Sequence, residues 1–266
     1  MDAPRNPLPQ YHRELLAAAA LELCLVQVRF PPASRFTEEK SLSALKEDLA
    51  DEYPIASVEQ AMNVMLTPQG IVPAAAGAPL LRFSTVDSAW SVVLTNEIVS
   101  IETRHYTDID EMSGRFARII ERIVQYLAPR VQLRFGLRFV NEFRVPHVDT
   151  YEQWLDLLRP EVLGIGAVNP FDGAVEQTIN ELRTRRTDGT LLVRHGFLNG
   201  TTVAPVGQRP SKSGPFYLLD LDYYDEAPAS FDLDVTARMH AYNDIIYRGF
   251  RWFVGDGTLY RLLKGA

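Results

Sequence analysis

Hydrophobic and polar positions follow the same order twice along the chain. Several short strands run into one long amphipathic helix at residues 81–128, and again at residues 175–254. Each such unit is a sheet with one apolar face, which a helix has to cover. The pattern therefore predicts an α+β fold, in which two strand-strand-strand-helix units form one or two antiparallel sheets and the long helices pack on one face. The predicted strands are 21–30, 81–86, 90–94, 99–103, 131–145, 175–186, 190–198 and 216–224.

Three helices are predicted from stripes of apolar residues that recur every three or four positions. They cover residues 37–52, 107–127 and 230–254, and a proline or glycine follows each of them. A short polar residue at the start of each helix supplies a side-chain acceptor for the unpaired backbone N–H groups of the first turn. The expected N-caps are Thr37, Thr107 and either Ser230 or Asp232.

Two segments interrupt the regular pattern. Residues 54–79 hold four prolines and an Ala/Gly tract, which predicts mainly a long surface excursion with a short strand near 59–66. Residues 146–174 are the expected connection between an N-terminal α+β unit, residues 1–145, and a C-terminal α+β unit, residues 175–266. A single continuous domain is the alternative.

Composition narrows the class of protein. The 266 residues are 46% apolar and carry a net charge of −7, which argues against a general nucleic-acid binder. The single cysteine, Cys24, excludes an intrachain disulfide and fits a cytoplasmic location. Because Glu14 and Glu22 flank the short apolar stretch near the N-terminus, no signal peptide is expected. No run reaches the roughly 18 apolar residues that a membrane span needs.

Charged side chains stand two or four positions apart on three predicted strands, and so share a face on each strand. On the longest strand, Gln132 and Glu142 are expected on the same polar face. If the faces coincide in one sheet, they form a platform whose arginines can bind a partner's charges or a phosphate in a bidentate manner. The alternative is a solvated face with weak cross-strand ion pairs. The candidate binding residues are Arg134, Arg138, Arg183, Arg185, Asp220 and Asp222.

An acidic cluster leaves a second function open. Asp220, Asp222, Asp225 and Glu226 are residue types that bind Mg²⁺ or Mn²⁺ in hydrolases and nucleases. However, no matching carboxylates with nuclease-like spacing stand elsewhere, and the five histidines form no H-x-x-x-H pair. The sequence also has no P-loop, G-x-S-x-G or complete G-x-G-x-x-G motif, so neither a cofactor nor a catalytic or metal-binding residue is assigned.

Several short motifs stand in a recognisable order. They are Arg29-Phe30, Tyr106, Gly136-Leu137-Arg138-Phe139-Val140-Asn141, Leu219-Asp220-Leu221-Asp222 and His240. This arrangement resembles a sporadically distributed bacterial family of uncharacterised proteins of about 250 residues, although Phe139 replaces the usual tyrosine. The resemblance implies no catalytic residues. Its patchy distribution implies an accessory gene, such as a defence or toxin-neutralising module.

These observations together predict a non-enzymatic cytoplasmic binding or regulatory protein. It is expected to recognise a protein partner or a ligand through the charged sheet face and through the loops at 54–79 and 199–215. The alternative is the metal-dependent hydrolase or nuclease. Exposed edge strands also make a homo-oligomer an expectation to test.

Overall fold

A computed structural model describes residues 8–14, 16–17, 20–67, 70–200, 212–231 and 234–265 of the chain. The helices are α1 (Glu39–Ala50), α2 (Ile109–Leu127), α3 (Pro160–Leu163), α4 (Val235–Val254) and α5 (Thr258–Lys264). The strands are β1 (Leu21–Arg29), β2 (Ile55–Thr67), β3 (Gly70–Ser84), β4 (Trp90–Leu94), β5 (Ile98–Thr103), β6 (Val131–Gln132), β7 (Arg134–Phe143), β8 (Asn180–Arg186), β9 (Gly189–Asn199), β10 (Pro215–Asp225) and β11 (Ala229–Ser230).

Within the described ranges, nine strands form one antiparallel sheet in the order β2-β3-β4-β5-β1-β7-β10-β9-β8. The first strand of the chain, β1, lies near the centre, between β5 and β7. β7 then pairs with β10, so the sheet contains strands from both predicted units. A large antiparallel sheet with helices outside it confirms the α+β prediction. The short strands β6 and β11 form a separate two-stranded pair.

Helices α2 and α4 contact each other and contact the sheet through aromatic side chains. Phe135 of β7 packs edge-on against Phe116 of α2 and Tyr242 of α4, with ring centroids 6.4 and 5.5 Å away. Cys24 of β1 contacts Met112 of α2. These side chains are buried, and Phe135 belongs to the apolar face that alternation along β7 produces.

The prediction for residues 54–79 is wrong, because β2 and β3 form a long hairpin there. The prolines suggested a loop because proline donates no hydrogen bond to a strand ladder. However, β3 pairs with β4 only from Leu81 to Ser84, so the preceding part of β3 is bonded to β2 alone. A strand with one open edge tolerates proline. The short strand expected near 59–66 lies inside β2.

The long strand predicted over residues 131–145 is divided into β6 and β7, with Leu133 between them. The backbone N–H of Leu133 donates to the carbonyl of Arg29, 2.7 Å away. This break changes the alternation, since Gln132 is buried and accepts a hydrogen bond from Arg238 of α4. The expected placement of Gln132 on the polar face is therefore wrong.

Two helix caps lie close to their expected positions. Asp108, rather than Thr107, caps α2 by accepting a hydrogen bond from the Glu111 backbone N–H at 2.8 Å. Asp234 caps α4 in the same way, while Ser230 belongs to β11 and Asp232 lies outside the described residues. The residue before α1 is Glu38, because Thr37 ends a preceding 3₁₀ turn.

Candidate functional site

The strand register brings the charged positions of four neighbouring strands onto one face of the sheet. In direct register, Asp222 of β10 lies opposite Arg138 of β7, Asp220 lies opposite Arg194 of β9, and Arg194 lies opposite Glu181 of β8. Residues directly opposite each other across antiparallel strands share a face. The charged face comprises Arg134, Arg138, Glu181, Arg183, Arg185, Arg194, Asp220 and Asp222.

Two arginine–aspartate pairs form the centre of the charged face. The Nε and Nη2 atoms of Arg138 donate to the two carboxylate oxygens of Asp220, each at 2.7 Å. Arg134 Nη2 donates to Asp222 Oδ2 at 2.8 Å. The Asp220 side chain is only 4% exposed. The bidentate geometry and the short distances are typical of strong charge-assisted hydrogen bonds, which hold these four side chains in place.

Burial and charge act in opposite directions at this centre. Burial raises the pKa of the Asp222 carboxyl, although the nearby Arg134 and Arg138 guanidinium groups act to lower it. Burial by itself would lower the pKa of Arg138, but the ion pair with Asp220 raises it above its ordinary value. Arg138 therefore stays charged and compensates the buried carboxylate.

Charged side chains become more exposed from the centre toward the β8 edge. Arg194 links the two regions, because its Nε lies 2.7 Å from Glu181 and its Nη1 lies 3.7 Å from Asp220. At the edge, the Glu181 and Arg183 side chains are 54% and 56% exposed, against 17% for Arg134. Exposed ion pairs contribute little stability, so these edge residues are free to exchange partners.

An aromatic ring connects the centre and the edge. The guanidinium groups of Arg134 and Arg183 lie 4.6 and 5.8 Å from the ring centre of Tyr224. Arg183 also forms a long ion pair, 3.7 Å, with Glu226. Arg185 is exposed, and no ion pair joins it to another residue in the described part of the chain. These contacts leave two arginines at the β8 edge accessible to another molecule.

The structure brings all six residues that the sequence predicted onto this face, four at its centre and two at its edge. The sequence analysis missed Arg194 and Glu181, which join these two groups. Asp188-Gly189, between the predicted strands 175–186 and 190–198, is a typical hairpin-turn sequence, and a hairpin is present here. However, Arg186 pairs with Gly189, so the turn residues are Thr187 and Asp188. Because the turn lies one position earlier than Asp188-Gly189, the pairing of the two strands changes, and Glu181 lies opposite Arg194.

A second group of charged residues on the same face was also missed. Glu102 of β5 and Arg138 of β7 both lie opposite Leu25 of β1 in register, so they share a face. Arg82 of β3 forms ion pairs with Glu102 and with Glu59 of β2, the latter at 3.0 Å. The charged pattern therefore continues across the other half of the sheet.

The carboxylates of the alternative metal site do not come together. Asp225 lies opposite Phe135 in register, on the other face from Asp220, and it pairs with Arg238 of α4 at 3.0 Å. Glu226 pairs with Arg183, and Asp222 with Arg134. Throughout the described ranges, no group of three or more His, Cys, Asp or Glu side chains has a metal-binding arrangement.

The two further expected contact regions, 54–79 and 199–215, stand differently. The segment 54–79 is largely strand, and residues 201–211 of the second loop lie outside the described residues. Comparison of the chain with models of known protein families and with curated proteins finds no match in either case. None of the helices in the described ranges combines the length and the apolar character needed to cross a membrane.

Proposed function

We propose that this protein is a non-enzymatic cytoplasmic binding or regulatory protein, which recognises a protein partner through the β8 end of the charged face. The observation that carries the proposal is the gradient of exposure across this face. Asp220 and Arg138 satisfy each other at the centre, whereas Arg183 and Arg185 project at the edge. The centre is thus a fixed support, and the edge is the contact surface.

The arrangement of the helices supports this use of the face. We infer that the long helices of the two strand-strand-strand-helix units pack on one side of the sheet. Phe135, which contacts both α2 and α4, alternates along β7 with Arg134 and Gly136, so it points away from the charged face. A partner could then approach the charged face without displacing either helix.

The chemistry of the edge indicates an acidic partner surface. Arg183 and Arg185 lie on one face of β8, and Arg194 lies on the same face of β9. Arginine is suited to this role because its planar guanidinium group binds a carboxylate through two parallel hydrogen bonds. A toxin or regulatory protein with an acidic docking segment fits this chemistry. That setting agrees with the defence or toxin-neutralising role implied by the resemblance to the bacterial family.

Charge reversal at the β8 edge tests the proposal. The variant Arg183→Glu/Arg185→Glu and the unaltered protein are used to capture partners by cross-linking in an extract of the source cells, and the captured proteins are identified by mass spectrometry. Arg261→Glu is the control, since it reverses an exposed arginine on α5. We expect a specific partner with the unaltered and control proteins that is lost from the edge variant. An identical set of captured proteins for all three would refute the proposal.

Self-association through β8 is a second candidate, because β8 is an edge strand whose side chains from Glu181 to Arg186 are exposed on both faces. Leu182 is among them, at 60% exposure. An edge of this kind offers unpaired backbone groups to the same strand of another copy. Light scattering at increasing protein concentration distinguishes the two candidates. A Leu182→Lys variant is expected to remove any dimer, and a strictly monomeric unaltered protein would exclude it.

A further inference from the structure

A pocket of about 400 Å³ lies on the side of the sheet opposite the charged face. Its lining comes from the N-terminal segment, β1, β7, β10, α4 and the beginning of α2. The N-terminal wall is held in place, because the Tyr247 hydroxyl donates to the carbonyl of His12 at 2.9 Å and accepts from the backbone N–H of Glu14. The apolar lining residues include Leu16, Leu21, Phe139, Leu221, Ile246 and Phe250.

Two asparagines bring hydrogen-bonding groups into this apolar pocket. Asn141 of β7 is 5% exposed, and its Nδ2 donates to the Leu219 carbonyl at 3.2 Å, which leaves its own carbonyl oxygen available. Asn243 of α4 is 8% exposed, and its side-chain amide forms no hydrogen bond with another residue in the described part of the chain. Both line the pocket.

The unpaired amide of Asn243 is unfavourable for the stability of the folded protein when no molecule is bound in the pocket. A buried amide without a partner loses its hydrogen bonds to bulk water and gains none from the protein. Asparagine is also a poorer helix former than leucine, which would suit the apolar neighbours of this position better. The Asn243 amide is not among the side-chain atoms that the described part of the protein buries without a partner, so it is open to the pocket, and a molecule bound there can pair with it.

Tyr106 adds a third neutral polar group. Its ring packs edge-on against Phe139, with centroids 5.2 Å apart, and it lines the pocket. Burial raises the pKa of the Tyr106 hydroxyl far above its ordinary value. The hydroxyl therefore remains protonated and neutral, and it can both donate and accept a hydrogen bond.

Three of the charged residues at the pocket have partners outside it. The Asp110 carboxylate lies 3.1 Å from His240 Nε2, and Glu14 accepts a hydrogen bond from the Tyr260 hydroxyl and lies 2.8 Å from Lys264. The Asp108 carboxylate caps α2. The interior thus presents two amides, one phenol and aromatic or aliphatic walls, and the remaining charged lining residue, Arg13, is exposed to solvent.

We propose that this pocket binds a neutral, planar heterocycle of the nucleobase type, carried by a nucleoside. Such a ring has adjacent donor and acceptor atoms, which a carboxamide can bind in a bidentate manner. Its flat faces are suited to the rings of Phe139 and Phe250. The volume is within the range of small-molecule sites, which are mostly apolar with a few placed polar groups.

Saturation-transfer NMR with adenosine, guanosine, cytidine and uridine tests this proposal on the full chain. We expect at least one nucleoside to receive saturation at its base protons. Asn243→Leu is expected to weaken that binding by about tenfold or more, because it removes the unpaired amide. The same variant is expected to raise the melting temperature by about 2–4 °C, so lost binding would not reflect unfolding.

Ala241→Leu is the matched control, since it introduces the same side chain at an exposed position of the same helix, and it should bind as the unaltered protein does. Arg183→Glu/Arg185→Glu should also retain nucleoside binding, so failure of the partner proposal would not affect this result. Absence of binding by all four nucleosides would overturn the inference. Equal binding by the unaltered protein and Asn243→Leu would do so as well.

Discussion

Arg138 lies directly opposite Asp222 in the strand register, but it binds Asp220, the next residue along the same face of β10. Asp222 is bound instead by Arg134, which lies two positions further along the same face of β7, beyond Gly136. The two ion pairs are therefore diagonal and parallel. Each arginine extends along the sheet rather than outward, which explains why the pairs are largely buried although they lie on a sheet face.

Removal of the Asp220 carboxylate should destabilise the protein strongly. Asp220→Ala leaves Arg138 and Arg194 without their shared anion in a partly desolvated position. Loss of one partner from a buried ion pair costs about 3–5 kcal/mol, and we expect the free energy of unfolding in urea to fall by about 3 kcal/mol. Glu226→Ala removes an exposed, 3.7 Å pair and should cost less than about 1 kcal/mol. Equal losses of unfolding free energy in the two variants would contradict the difference in burial between the Asp220 and Glu226 side chains.

Gly136 allows Arg134 to lie over the sheet. A Cβ atom added at Gly136 would approach the Arg134 guanidinium to 2.7 Å. Gly136→Ala should therefore displace Arg134 from Asp222 and lower the free energy of unfolding by about 1–2 kcal/mol. Gly173→Ala is the control, because an added Cβ meets no heavy atom within 4 Å there. A stability of Gly136→Ala equal to that of the control would show that Arg134 can move aside without loss.

The junction of sheet and helices depends on Phe135. Its ring contacts Phe116 and Tyr242, and the Arg238 guanidinium lies 4.9 Å from its centre. Phe135→Ala should cost about 3–5 kcal/mol, because a cavity forms where α2, α4 and β7 meet. Val86→Ala, at an 80% exposed position, should change the midpoint of urea unfolding little. A similar midpoint for both variants would argue against this junction as a main source of stability.

His195 should make the stability depend on pH below neutrality. Burial lowers the pKa of His195 to about 4, and its Nδ1 lies 3.1 Å from the Tyr217 hydroxyl. Between pH 6.5 and 4 the unfolded chain binds a proton at this position that the folded protein does not bind. The contribution of His195 to stability is therefore complete above about pH 6.5 and decreases as the pH falls, at up to about 1.4 kcal/mol per pH unit.

The variant His195→Gln measures this contribution, since glutamine keeps a hydrogen-bonding group but does not titrate in this range. We expect the difference in unfolding free energy between pH 7 and pH 4.5 to be smaller in the variant than in the unaltered protein. The pH dependence of the unfolding free energy that remains in the variant comes from the other titrating groups. Parallel pH profiles for both proteins would show that His195 is not buried as a neutral side chain.

Much of the fold could be predicted because its signals are local. The stripe of α2 and the alternation of β7 depend on the periods of 3.6 and 2 residues, which are properties of short segments. For the same reason, Arg134 and Arg138 could be assigned to one face of their strand, and Asp220 and Asp222 to one face of theirs. The sequence by itself determined these elements and the composition of their faces.

Only the tertiary structure decided which faces meet. The pairing of β7 with β10 joins residues about 80 positions apart, and the preference for one neighbour over another depends on burial across the whole sheet. The prolines of β3 locally predict a loop, but pairing with β2 makes this segment a strand. Asn141 stands at the end of the Gly136–Asn141 motif and Asn243 stands in none of the motifs, and they line one pocket only because β7 and α4 pack together. Long-range packing has no period, and so it leaves no local pattern in the sequence.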